Sequence, residues 1–155
     1  MLDFKFSIDT LEVDKANKRL IRTTPALSRE ILGYLGEATV NRVVVHNATY
    51  PGPHSLKRRS GTYAKSINYK LANDFLARVG TNIKYGAIHE YGGTIKAKNA
   101  GSLHFMIGQK HIMVKEVHMP ARAPIGTGLR YVWENEAQEI MDDRLDNWIA
   151  KEYTR

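Results

Sequence analysis

Leu2, Phe4, Phe6 and Ile8 alternate with Asp3, Lys5, Ser7 and Asp9, the two-residue period of a strand with one buried face. A polar, basic stretch follows from Asp14 to Thr24. Thr24 and Pro25 then offer an N-cap with proline at the first helical position, and Leu27, Ile31, Leu35 and Ala38 recur at helical spacing, which predicts a helix over about 25–46. Val43-Val44-Val45 is β-branched and strand-like in composition. It continues the helical face and is assigned to that helix.

Residues 47–60 (NATYPGPHSLKRRS) combine two prolines, a glycine and a cluster of cations, the composition of a loop. Past Gly61, Ile67, Tyr69 and Leu71 alternate, Asn73-Asp74 supplies a turn, and Phe75, Ala77 and Val79 alternate again, which predicts a β-hairpin. Tyr85 to Tyr91 is helix-compatible and closes on Gly92-Gly93, where glycine can take the left-handed conformation that ends a helix. On that helix Tyr85, Ile88 and Tyr91 should share a face against the sheet, with His89 and Glu90 at its border. Residues 96–111 read as an excursion from the core, a long loop or a β-arm. The apolar run Ile112-Met113-Val114 with Val117 should return to the sheet.

Trp133, Ala137, Ile140, Met141, Leu145, Trp148 and Ile149 fall on one helical face, with Glu134, Glu136, Glu139, Asp142, Asp143 and Asp146 largely on the other. This predicts an amphipathic helix over about 128–152. The order of elements indicates a single α+β domain, residues 1–155, whose antiparallel or mixed β-sheet is packed by the two long helices.

The 155 residues contain no cysteine, which removes disulfides, cysteine nucleophiles and cysteine-based metal sites from consideration. No segment approaches the ~20 apolar residues of a membrane span, and MLDFKFSIDT lacks the basic start and unbroken apolar run of a signal peptide. The chain is therefore expected to stay in the cytoplasm where it is made, without a membrane partner. The net charge of +7 is uneven: residues 1–130 hold 20 basic and 9 acidic groups, residues 131–155 hold 3 and 7. A basic body with an acidic terminal helix suits either a nucleic-acid-facing surface or head-to-tail contact between copies, although solubility alone would also produce it.

Candidate chemistry is sparse. His89-Glu90 could act as acid and base, and His104, His111 and His118 recur every seven residues. Seven residues of extended chain advance more than ~20 Å, so those three rings converge only where turns intervene, and no H-E-x-x-H, H-x-H or aspartate cluster completes a metal site. No G-x-S-x-G elbow or phosphate-binding glycine loop is present. No cofactor and no catalytic residue are assigned. Lys57, Arg58 and Arg59, followed by Tyr63 and Tyr69, form a basic loop with aromatic neighbours, suited to sequence-independent contact with a phosphate backbone and equally consistent with a solvated loop.

VGTNIKYGAIHEYGGTI, followed about 25 residues later by MPARAPIG, is similar to the paired signature of the phage virion-morphogenesis and tail-completion family. Its members commonly carry V-G … Y-A-x-I-H-x-F-G-G and then I-P-A-R-P-F-L-G. RRSGTYAKSI also resembles the T-G-x-L-x-x-S-I segment of related head–tail joining proteins. The likeness covers about residues 55–126 and falls on Gly61, Ser66, Ile67, Val79, Gly80, Tyr85, Ile88, His89, Gly92, Gly93, Pro120, Ala121 and Arg122. Gly86 stands where alanine is usual, Tyr91 where phenylalanine is, Met119 where isoleucine is, and Ala123-Pro124-Ile125 where Pro-Phe-Leu is.

The resemblance implies a non-enzymatic virion protein at the head–tail junction, made in the host cytoplasm, that completes tails and joins them to filled heads. A cyclic homo-oligomer, a hexamer first of all, would place its DNA-facing residues Lys57, Arg58 and Arg59 at the lumen. Gly61, Tyr85, Ile88, His89, Glu90, Tyr91, Gly92, Gly93, Pro120, Ala121 and Arg122 would lie at or near contacts between neighbours. Other neck, tail-terminator, tail-tube or portal-adaptor proteins are the expected partners. A tail terminator or portal adaptor is the nearest alternative, and a free nucleic-acid-binding module the more distant one.

Overall fold

The computed structural model describes residues 10–47, 56, 61–98 and 101–153. The strand expected over residues 2–8, and Lys57, Arg58 and Arg59, lie outside them. The order of elements is α1 (Thr10–Arg42) running into a π-helical turn (Val43–Asn47), α2 (Thr62–Ser66), β1 (Ile67–Asn73), β2 (Leu76–Thr81), α3 (Gly86–Tyr91), β3 (Gly93–Lys96), β4 (Leu103–Ile107), β5 (Lys110–Val114), β6 (Glu116–Met119), α4 (Pro124–Asn135) and α5 (Ala137–Tyr153). The chain is α+β, as its patterning predicts. No helix is long and apolar enough to cross a membrane among the described residues.

The first helix begins fifteen residues before the predicted start, and Pro25 lies inside it. Leu11, Glu12, Lys15, Ala16, Lys18, Arg19 and Leu20 are good helix formers without a strong apolar stripe, so the segment reads as polar linker while its backbone stays helical. Proline removes one backbone donor and costs about 3 kcal/mol in a helix interior. A long helix tolerates that where it is continuous on both sides.

Helix α1 is the centre of the molecule. On one side lies the β1–β2 hairpin, antiparallel with Tyr69 opposite Val79 and Lys70 opposite Arg78. The two elements meet at Gly36, where an added Cβ would fall 2.5 Å from the Tyr69 ring, so only glycine lets the strand approach this closely. The Tyr69 hydroxyl donates to Glu37 at 3.2 Å, and Arg29 pairs with Asp74 in the hairpin turn at 3.0 Å. Asn73 Oδ1 accepts from the Phe75 N–H, the local bond by which asparagine shapes a turn.

On another side α1 carries α4 and α5. The Arg42 guanidinium sits 3.4 Å over the Tyr131 ring, and Arg144 reaches both the Tyr34 ring and Glu30. The C-terminal helices thus pack on α1, whereas the sequence pattern placed them over the sheet. They are also two helices where one is predicted. The backbone kinks at Glu136, whose φ of −124° is not helical, and the kink turns the apolar stripe. Val132 and Ala137 are buried, while Trp133 is 66% exposed and Leu145 and Ile149 also face solvent.

Core residues Val43, Leu56, Tyr63, Ala64 and Ile67 gather where the end of α1, α2 and the start of β1 meet, with Val40, Val44, Val79 and Ile125 against them. The Val43 run is therefore helical and core-forming, in a wider π turn. Thr39, fully buried, is satisfied by donating to the Leu35 carbonyl at 2.7 Å.

Among the described residues the strands form three two-stranded antiparallel ribbons and no common sheet. Ribbons β3–β6 and β4–β5 follow one another along one excursion, so the predicted β-arm extends over 93–119. Ile112-Met113-Val114 belong to its outer half and do not return to the body as expected. Directly opposed residues in an antiparallel ribbon share a face: Ile112 meets Phe105 and Val114 meets Leu103, giving that run an apolar mate within the arm itself.

Candidate functional site

The two signature segments, about 25 residues apart in the chain, form one structural knot. Gly92 and Gly93 end α3 with φ of 69° and 146°, conformations that L side chains rarely adopt. The Gly92 N–H closes α3 on the Ile88 carbonyl at 2.9 Å. At Gly92 an added Cβ would stand 2.7 Å from the Ala121 nitrogen and 2.9 Å from the Met119 carbonyl oxygen. Glycine is thus required twice, by its backbone angle and by the passing backbone of residues 119–121.

His89 and Glu90 bind the second segment directly. The His89 carbonyl accepts from the N–H groups of Arg122 (3.0 Å) and Ala123 (3.2 Å). The Glu90 carboxylate accepts from the N–H groups of Ile125 (3.0 Å) and Gly126 (2.8 Å), two of the orphan donors at the start of α4, where the helix dipole favours negative charge. Pro124 occupies the first turn of α4, where no N–H is needed. Ala123 precedes it in the left-handed region, with φ 43° and ψ 50°.

The His89 ring packs edge-on between the rings of Tyr63 (5.5 Å between centroids) and Tyr85 (5.8 Å). Burial, and then the Arg122 charge, hold its pKa below the usual histidine value. Burial and then Glu90 push the Tyr63 hydroxyl up to about 12. Both Tyr63 Oη and His89 Nδ1 are buried without a hydrogen-bond partner. His89, Glu90 and Ile88 are half-buried, as expected of two border residues and one packed one, whereas Tyr85 is 45% and Tyr91 82% exposed, so the predicted packed face does not extend to the two tyrosines. The cause is non-local: the carboxylate of Glu90 is drawn to the end of a helix that the short segment 85–91 does not contain.

Around this knot Gly61 is buried with φ 75°, and its carbonyl accepts from the Lys65 N–H at 3.0 Å. Ser66 Oγ donates to the Tyr63 carbonyl and shares a 2.6 Å bond with Thr81 Oγ1. At Gly86, where alanine is usual in the family pattern, a Cβ would meet the Thr81 methyl group at 2.3 Å. Ile88 approaches Gly93, and Pro120 and Ala121 lie on the strand end beside Gly92.

Sequence reasoning missed a second feature. On the outer face of the hairpin, Lys65, Lys70 and Arg78 line a shallow groove with Ser66, Asn68, Gly80 and Asn82, and among the described residues no acidic side chain takes part in it. Lys70 stands directly opposite Arg78, a like-charge pair that destabilises a ribbon unless an anion offsets it. The signal was the alternation itself, which puts Asn68 and Lys70 on the face opposite Ile67, Tyr69 and Leu71.

The arm's histidines are also informative. The Gly108-Gln109 turn brings His104 and His111 together, with rings 5.7 Å apart, while His118 contacts Thr94 across the inner ribbon at 3.4 Å. Among the described residues no group of three histidine, cysteine or carboxylate side chains is arranged to hold a metal ion.

No curated protein matches the chain, and no solved structure does. The model of the phage virion morphogenesis family matches residues 46–147, a span that contains the hairpin, both knot segments, the arm, α4 and the kink to α5. With two thirds of its length matched, including every residue of the knot, the chain belongs to the phage virion morphogenesis family and is a structural protein of the virion.

Proposed function

We propose that the chain is a tail-completion subunit that acts as a ring at the head–tail junction, through which DNA passes. The observation that carries this reading is the arm. Its outer ribbon is apolar on one face and, among the described residues, makes its main contacts between its own two strands. An isolated two-stranded ribbon is marginal in water, so this one gains its stability in an assembly. Cyclic symmetry satisfies every copy of such a contact at once.

The basic face of the hairpin supports the second half of the reading. Lys65, Lys70 and Arg78 would multiply around a ring into a wall that neutralises phosphate without reading sequence. Lys57, Arg58 and Arg59, close in sequence to α2, would add to it. The structural knot would keep the arm and α4 in fixed relation, and its exposed Tyr91 lies at the arm's base.

Particles made without this protein test the proposal. Filled heads and tails of normal length should accumulate unjoined, and adding the purified protein should restore joined particles, counted by electron microscopy. Joined, infectious particles in its absence would sink the proposal. Tails of uncontrolled length would transfer the chain to the tail-terminator role. The triple change of Lys57, Arg58 and Arg59 to alanine should fold normally yet deliver DNA poorly.

A further inference from the structure

The arm's outer ribbon, which among the described residues makes its main contacts within itself, has a complementary surface elsewhere on the same chain. On the outer ribbon Leu103, Phe105, Ile107, Ile112 and Val114 share one face, and Ile107 is 60% exposed. Lys98, Lys110 and Lys115 stand exposed along the arm, and its sole acidic residue, Glu116, is paired with Lys96. The arm is thus apolar and basic.

Helix α5 shows the opposite character. Arg144 turns toward Glu30 and Tyr34 of α1, which fixes the rotation of the helix. At 100° per residue, Glu139, Asp142, Asp146 and Ile149 then fall on the far side, with Leu145 on the flank beside them. All five are exposed. An apolar pair at i and i+4 framed by carboxylates is an unusual thing to leave in water. It matches the arm in both respects.

Building on the ring reading, we infer that the β4–β5 arm of one copy docks across the outward face of α5 of the next copy. Lys98 and Lys110 face Asp142 and Asp146, and Ile107 and its neighbours bury Leu145 and Ile149. The charges orient the encounter and the apolar strip holds it. Arm and helix are different surfaces, so the contact is heterologous: it closes into a ring when the rotation between copies divides a full turn, and otherwise propagates as a filament.

The absence of cysteine makes the test direct. The double variant Ile107→Cys/Leu145→Cys, treated with a short bis-maleimide, should give a ladder of covalent oligomers ending at the ring number, in solution or after addition to particles. Each single variant alone should stay uncross-linked, and mixing the two should give a dimer. Asp142→Lys/Asp146→Lys should cut the ladder at least tenfold, and Lys98→Glu/Lys110→Glu added to it should restore the ladder.

Oligomers that form without the ladder, or an Ile107→Cys variant that cross-links to itself, overturn the pairing and leave the ring reading standing. A ladder seen only with a foreign tail or head protein names a different occupant and overturns it also. A chain that remains monomeric both in solution and on particles ends the ring reading together with this one.

Discussion

Glu90 and Gly126, thirty-six residues apart, are joined by a 2.8 Å hydrogen bond from the Gly126 N–H to the Glu90 carboxylate, with the Ile125 N–H on the other oxygen. A side chain on the last turn of α3 thus caps the start of α4, tying the two helices together across the whole arm. Removing a helix cap costs about 1–2 kcal/mol. Glu90→Ala should lower stability by that amount. Glu90→Gln, which keeps one acceptor oxygen, should lose about half as much, and thermal denaturation of the three chains distinguishes the cases.

Glycine is needed at Gly92 and dispensable at Gly80, although both belong to the recognisable segment. Gly92→Ala meets a φ of 69° and two backbone atoms within 3 Å. It should cost several kcal/mol, at or beyond the ~1–3 kcal/mol of a strained backbone position, and yield little soluble protein. Gly80 has nothing within 4 Å of an added Cβ and an ordinary φ. Gly80→Ala should leave stability unchanged or raise it by about 0.4–1 kcal/mol through the unfolded chain. Soluble yield and urea midpoints check both.

The hairpin, the short helix with its glycine stop, the arm and the α+β class were legible because each depends on near neighbours. Ile67, Tyr69 and Leu71 alternate because one face of β1 lies on α1, and Asn73 shapes its own turn. What sequence could not show depends on distant partners. The orientation of Glu90 is decided by N–H groups at 125 and 126, and the exposure of Trp133 by a kink three residues later. The start of α1 was hidden for another reason: residues 10–24 favour helix by propensity without an apolar stripe to announce it. The knot's residues were recognised as a pattern, while their reciprocal bonding needed the fold.

Protonation of His89 should weaken the fold. Burial first, and the Arg122 charge second, place its pKa below the ordinary 6.5, so the folded chain prefers the neutral ring more than the unfolded chain does. The stabilisation is complete above pH 6.5 and is lost as pH falls through the lowered folded value. His89→Gln should flatten this part of the stability profile. Urea denaturation of both chains between pH 5 and 8 should show the gap opening only on the acid side, and parallel profiles would show that another group carries the dependence.

Ala123 holds a left-handed backbone, φ 43° and ψ 50°, at the point where the family pattern places proline. A non-glycine residue pays roughly 1–2 kcal/mol for this conformation. The position persists because the Ala123 N–H donates to the His89 carbonyl and its own carbonyl accepts from the Thr127 N–H at 2.8 Å. Ala123→Gly keeps both bonds and removes the steric cost, so it should raise the melting temperature or leave it unchanged. Ala123→Pro restores the family residue, yet proline fixes φ near −65° and removes the donor to His89. In this chain, with Pro124 already at the helix start, Ala123→Pro should destabilise by about 3 kcal/mol or more. A proline variant as stable as the parent would mean that the loop between Arg122 and Pro124 adopts the ordinary right-handed or extended backbone, and the hydrogen bond to His89 would then have to be abandoned as the element that fixes it.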